Sequence, residues 1–505
     1  MNIFNSMADK IRQGIRTWLR IQPAQIGSIQ LNEVLDYEAN AIKNRIWYRG
    51  ESEELSQLYL QLNGDKTRFW AAKCTPGMEI RKIHVGIPSM IVDMLAGIVV
   101  GDMNIVDAGS RQQEWNAIAD DNKFKELVKE AITETLYIGD GAFKVSFDTL
   151  LSQYPIIEFY PGDMIDVIRQ RGRIKEIVFK TVYVSNRQEY VLLEHYGHGY
   201  IAYELTKNGR EYNIDAVPEL AGLKNVTWND NFMLAVPLMF YKSAKFKGRG
   251  KSIFDSKIDN FDALDEAWSQ WMEALRLNKT KEYIPESMLP RDPNTGAVLK
   301  PNAFDNAYIQ VETSMAEKAA PKIEREQSNI LHESYLATYI TALDLCLQGI
   351  MSPSTLGIDV KKLDNADAQR EKEKATLYTR NNIVEQLQEV LPKLVNTVFR
   401  AVDTYNKTVI KDIDVDVTFG EYANPSFESQ VETVSKAKQG GIMSIEASVD
   451  ELYGDTKDDE WKQEEISRLK AEQGISDMKE PALNMQSDGF TVNGADNSFT
   501  GFDNK

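Results

Sequence analysis

Residues 349–374, GIMSPSTLGIDVKKLDNADAQREKEK, separate two long stretches of helical pattern, and no catalytic constellation lies near them. An apolar helical pattern stops at Gly349, and Pro353 with Gly357 forbids a regular helix across the next turns. Asn365 or Asp367 is the candidate N-cap of the helix that follows. Such a chain must fold as rods joined by a loop. Lys361 and Lys362 stand side by side in that loop, with acids only at Asp359 and Asp364. Spacing alone fits a solvated connection.

The rod before the loop is one of a pair. Over 254–277, Phe261, Leu264, Trp268, Trp271 and Leu275 recur at alternating intervals of three and four, the mark of a helix packed along a seam. At ~1.5 Å per residue this segment spans roughly 35 Å. Its charged side carries Asp262, Asp265, Glu266 and Glu273. A core helix of an ordinary domain would show the same spacing. The second rod, 328–349, carries Ile330, Leu331, Tyr335, Tyr339, Leu343, Cys346 and Leu347. Between the rods, prolines at 285, 290, 293, 301 and 321 break helix, PNTG marks a turn, and YIPESML and NAYIQVE read as short strands.

Upstream, 30–62 is helical with Asn32 as a candidate cap, 80–100 reads as a buried helix after Pro88, and 124–137 is an amphipathic helix. Gly139-Asp140-Gly141 turns the chain into AFKVSF. PIIEFY, KEIVFKTVYV, EYVLLEHYG and YIAYEL then form antiparallel hairpins, so the class is α+β. The Gly-Asp-Gly lacks the spacing of a phosphate-binding fingerprint and reads as a tight turn. Residues 242–251 hold Lys242, Lys245, Lys247, Arg249 and Lys251 without an acid. Contact with DNA phosphate, contact with acids of a neighbouring subunit, and a solvated turn all fit this basic run. Asp255 is placed to cap the helix beyond it.

Downstream, 367–406 is polar, then apolar at Ile383, Leu387, Val390, Leu394, Val398, Phe399 and Val402, with a kink expected at Pro392. DVDVTF at 414–419 reads as a strand, 424–474 as helices interrupted at Gly440 and Gly441, and the apolar-poor remainder from 475 as a disordered tail.

The net charge of −18 excludes a tight nucleic-acid clamp, whose affinity comes from cations on phosphates, but permits a conduit in which duplex slides. Cys74 and Cys346, far apart, support neither a disulfide framework nor a zinc cluster. No apolar run of 18 or more residues exists, so neither secretion nor membrane spanning is expected. Residues 1–21 are amphipathic, with Ile3, Phe4, Met7, Ile11, Ile15, Trp18 and Leu19 against Lys10, Arg12, Arg16 and Arg20. This pattern suits a helix docked on its own protein or a neighbour, or one lying on a membrane surface. His195 and His198 have only Glu194 beside them, a poor metal set, and no Walker A sequence is present.

Residues 349–374, the helix before them and GRGKSIFDSKIDNFDALDEAWSQWMEALR at 248–276 together resemble bacteriophage portal proteins, closest to the group in tailed phages of Gram-positive hosts, from about residue 30 to 470. The resemblance implies a portal-protein fold. An N-terminal amphipathic helix (1–29) would precede an α/β wing (30–253), stem helices at 254–277 and 328–349, a small α/β clip (278–327), a tunnel loop (350–366), a long kinked helix with a wing strand (367–423), a helical crown (424–474) and the tail (475–505).

It further implies a homododecameric ring in the virion at the capsid's portal vertex, made in the host bacterial cytoplasm and passing double-stranded DNA. Terminase, major capsid and scaffolding proteins and head-tail connector proteins are the implied partners, with no enzymatic activity and no cofactor. Lys361 and Lys362 become the first residues to test for DNA contact. Another virion structural protein, or an enzyme acting on carbohydrate or nucleotide through a dispersed site, are the competing classes.

Overall fold

The computed structural model describes residues 35–62, 68–73, 80–278, 281–285, 289, 291–297, 307–311, 324–326, 330–358, 366–420, 427–453 and 459–472. They fall into two compact units, 1–422 and 423–505.

Helix α3 (Ile87–Gly101) is the centre of the first unit. It starts after Gly86 in the left-handed region, with Pro88 in the first turn, where the missing N–H costs nothing. Ile91, Val92, Leu95, Ala96 and Val99 are fully buried. Helices α1 (Tyr37–Arg49), α2 (Ser52–Gln61), α4 (Gln112–Asp121) and α5 (Phe124–Ile138) belong to the same unit. The cap of α1 is Asp36, which accepts from the Ala39 N–H at 2.8 Å, while Asn32 lies outside the described residues.

A three-stranded antiparallel sheet follows, ordered β2 (Ile156–Pro161), β1 (Asp140–Ser146), β9 (Ala235–Met239), with Phe143 opposite both Phe159 and Val236. The second sheet runs β3 (Ile165–Gln170), β4 (Arg173–Ser185), β5 (Gln188–Gly197), β6 (Tyr200–Lys207), β7 (Arg210–Tyr212), with β8 (Val226–Thr227) paired to β6. Asn186 and Arg187, both at positive φ, make the two-residue turn that suits the twist of the β4–β5 hairpin.

Helix α6 (Ile258–Leu277) then leads to a small sheet in which β10 (Lys281–Pro285) pairs parallel with β11 (Ala307–Val311) and antiparallel with β12 (Glu324–Glu326). Helix α7 (His332–Leu347) returns, and α8 (Ala366–Tyr405) runs unbroken through Pro392. Ile383, Leu387, Leu391, Leu394, Val395 and Val398 of α8 are fully buried. No described helix is long and apolar enough to cross a membrane.

The second unit contains α9 (Phe427–Gln439), α10 (Ile445–Tyr453) and α11 (Asp459–Glu472).

Several local expectations need correction. Asp255 does not cap α6; Lys257 holds the N-cap position, without a side-chain cap bond. Asp255 instead accepts from the Ser252 N–H at 3.1 Å and the Asn40 amide at 3.0 Å, because the turn before the helix folds it back onto α1. Asp367 lies within α8 rather than ahead of it. Residues 414–419 form no strand ladder, since they meet the 103–107 segment only at isolated bridges, Met103 to Phe419 and Asp107 to Asp416.

Two acids of the charged side of α6, Asp262 and Asp265, are buried, at 7% and 1% exposure. Asp262 accepts the N–H groups of Phe69 (3.0 Å) and Trp70 (3.3 Å). Asp265 accepts from the Val85 N–H (2.9 Å) and the Trp70 indole (3.1 Å), and lies 2.7 Å from the His84 Nδ1. Buried carboxylates persist only with such partners.

Candidate functional site

The long helices α6 and α7 run antiparallel, because their contacts advance along one as they retreat along the other. Trp271 stacks on Tyr335 (6.3 Å between centroids), Trp268 meets Tyr339 (5.4 Å), and Asn260 donates to the Leu345 carbonyl (3.0 Å). The Lys257 ammonium donates to the carbonyls of Leu345 (2.8 Å) and Gln348 (2.7 Å). A cation there satisfies carbonyls left open at the end of α7 and meets the negative pole of its dipole.

Along the seam, Phe261 and Leu264 are buried, Trp268 and Trp271 are half-buried, and Leu275 is 45% exposed. Phe261 packs edge-on against Phe254, at 5.6 Å. The inner half of the seam thus belongs to the core. The outer half leaves apolar surface uncovered, with Leu277 and Leu336 also exposed, and Leu345 is exposed at the inner end.

After α7 the chain is pinned before it reaches its lysine pair. Met351 is buried, Pro353–Leu356 form one 3-10 turn, and Gly357 closes it at positive φ. Thr376 and Thr379 of α8 hold this stretch: Thr376 Oγ1 accepts the Ser352 N–H (2.9 Å), and Thr379 Oγ1 donates to the Ile350 carbonyl (2.6 Å). Lys361 and Lys362, with Asn365, lie outside the described residues.

The basic turn divides into two kinds of residue. Lys242, Lys245, Lys247 and Lys251 are exposed. Arg249 is committed inside the fold: it donates to Asp140 through Nε (3.0 Å) and Nη2 (2.8 Å) and to the Gly162 carbonyl, and its guanidinium lies 3.8 Å from the Tyr37 ring centroid. Asp140 also accepts from the Tyr37 hydroxyl (2.8 Å) and the Gly250 N–H (2.6 Å). Burial, followed by the Asp140 charge, pushes the Tyr37 phenol far above its ordinary range.

Backbones touch here as well. A Cβ on Gly139, at φ 126°, would stand 2.7 Å from the Gly250 carbonyl oxygen. The Gly-Asp-Gly turn is therefore a socket for the basic turn. Sequence reasoning missed it because the partners lie more than one hundred positions apart; a lone Arg between two glycines opposite an Asp between two glycines was the available signal. Burial lowers the Lys43 pKa, opposed by Asp255 and reinforced by Lys245, so the exposed end of the turn adds positive potential beside α1.

His195 does not meet His198 in a metal-binding arrangement. Its nitrogens lie 3.8 Å from Glu176 and 3.7 Å from Glu204, carboxylates supplied by the neighbouring strands β4 and β6. Among the described residues no group of three or more ligating side chains could hold a metal ion.

The family description "Phage portal protein, SPP1 Gp6-like" matches residues 24–477. Comparison with curated proteins gives no match. Among solved structures, a chain of "Neck of native GTA particle computed with C12 symmetry" is similar at 13% identity and TM-score 0.36, over 73% of this chain and 90% of that one. A chain of "Virion of native gene transfer agent (GTA) particle" is similar at 12% identity and TM-score 0.34, covering 75% and 89%. The family match takes in both long helices, the segment that joins α7 to α8 and all three sheets, and the chain belongs to the phage portal proteins of the SPP1 Gp6-like family.

Proposed function

We propose that this portal protein forms a closed ring of identical subunits at one capsid vertex, a dodecamer by family likeness, through which double-stranded DNA is packaged, retained and ejected. The observation that carries the reading is the antiparallel α6–α7 pair, which leaves Leu275, Leu277, Leu336 and Leu345 exposed on the single chain. Exposed apolar side chains spread over a helix pair in this way are what neighbouring copies cover in a head-to-tail assembly.

In this reading α6 and α7 are the stem helices. The sheet of β10–β12 is the clip that meets terminase and later the head-tail connector, the two larger sheets with α1–α5 form the wing, and 424–474 is the crown. Major capsid and scaffolding proteins surround the ring. Residues 350–366 form the tunnel loop, and Lys361 and Lys362 touch the duplex. The net charge of −18 suits a wall that repels phosphate while a few cations make brief contact, so the duplex slides instead of sticking.

Electron microscopy and native mass spectrometry of one purified sample test the proposal. Closed rings with a channel wide enough for B-form duplex are expected. A compact oligomer without a channel, or a chain that stays monomeric even with its capsid and scaffolding partners, would overturn it.

A further inference from the structure

Alternate residues of β5 divide the second sheet into two faces. Tyr190, Leu192, Glu194 and Tyr196 are buried on one, while Val191, Leu193 and His195 on the other are only half-buried. The open face carries an apolar strip. Val182 lies opposite Val191, Lys180 opposite Leu193, and Val184 opposite Glu189. Val182 and Val184 are 51% and 68% exposed. Acids border the strip, with Glu189 beside Val184 and Glu204 opposite Leu193.

The start of the described chain lies next to this strip. Glu38, in the first turn of α1, pairs with Lys180 at 2.8 Å. Lys180 shares a face with Val182 and Val184, and at ~3.3 Å per residue Val184 is only roughly 13 Å further along the strand. Residues 21–34 can reach up to roughly 45 Å when extended, ample to bring the segment before them back over the strip. In residues 1–21, Ile3, Phe4, Met7, Ile11, Ile15, Trp18 and Leu19 recur at helical spacing, and Lys10, Arg12, Arg16 and Arg20 outweigh the sole acid, Asp9. An apolar strip edged by carboxylates and an apolar, cationic segment tethered beside it are complementary in both respects.

We propose that residues 3–20 dock on the open face of β4–β6 in the same chain, their apolar residues covering Val182, Val184, Val191 and Leu193 and their cations meeting Glu189 and Glu204. The inference does not rest on ring formation.

The test places the photo-crosslinker p-benzoylphenylalanine at position 184 of the full chain and assembles the protein from mixed isotopically light and heavy copies. Cross-links from position 184 to peptides within residues 1–20, joining light to light and heavy to heavy only, are the expected result. Mixed light–heavy links would assign the strip to a second copy and overturn the same-chain assignment, as would links to any other segment or no protein cross-link. A second readout is amide exchange in the full-length Val182→Asp/Val184→Asp variant. Exchange across residues 3–20 should accelerate at least roughly tenfold while β4–β6 keep their own protection. Unchanged exchange in residues 3–20 would also overturn the proposal.

Discussion

Replacing Asp265 by Ala tests whether α6 is held by its buried carboxylates. The side chain is 1% exposed and accepts from the Val85 N–H and the Trp70 indole while pairing with His84. Removing it leaves these buried donors without an acceptor, at about 1–3 kcal/mol for each unsatisfied group, offset in part because a desolvated charge disappears. The sum points to a loss of about 3–5 kcal/mol, the range for breaking a buried pair. Asp265→Asn, which keeps one carbonyl oxygen, should lose about half as much.

Asp259 supplies the control on the same helix. Its side chain is 80% exposed and bridges Arg68 at 2.6 Å, so Asp259→Ala should cost at most about 1 kcal/mol. Urea unfolding of the full chain, followed by tryptophan fluorescence, reads the difference, since Trp70 is itself 1% exposed and bonded to Asp265. If Asp265→Ala shifted the midpoint no more than Asp259→Ala, the carboxylate would not be what fixes α6 to the 69–85 segment.

Four further outcomes are expected. Burial, opposed by Arg45 and aided by Glu130 and Asp163, raises the Glu134 carboxyl to about 7, so the folded state binds its proton more tightly than the unfolded chain. Stability should fall as pH rises from the ordinary carboxylate range through 7, and Glu134→Gln should restore about 1–2 kcal/mol at pH 8 with little effect at pH 5; equal gains at both would point away from titration. Gly139→Ala forces a Cβ against the Gly250 carbonyl at φ 126° and should lower stability by about 2 kcal/mol or more, visible in the melting temperature. Trp268→Ala removes the Tyr339 contact and should cost more in assembled rings than in the free subunit, where Trp268 is half-buried; equal shifts in thermal scans of the two forms would place it away from the subunit boundary. Lys361→Ala/Lys362→Ala should leave ring yield intact while changing packaging rate or packaged DNA length, and no change in either would remove the lysines from the channel.

Much of the secondary structure was readable because its signals are local. The three-four alternation over 261–275, the apolar run after Pro88 and the hairpin pattern from 140 to 207 each encode an element within a few turns of chain. What an element packs against is a different question. The sequence shows that α6 has a charged side, but nothing near 262 or 265 reveals that Phe69, Trp70 and Val85 bring N–H groups to its acids. Asp255 had the spacing of a cap, yet contacts to α1 took its carboxylate elsewhere. Arg249 looked like its lysine neighbours because composition cannot distinguish a cation facing solvent from one paired across 109 positions. Spacing left the lysine pair at 361 and 362 as a solvated connection; the resemblance to portal proteins made it a candidate, and the packaging measurement tests it.

The Lys257 contacts to the far end of α7 have an evolutionary consequence. They close the excursion from α6 through β10–β12 and back at its base, so the ends of that excursion are already held together. Lengthening a loop whose closure is fixed costs only about 0.6 kcal/mol per doubling. Insertions, deletions or whole replacements beyond the two rods are therefore cheap to accommodate while the base stays unchanged.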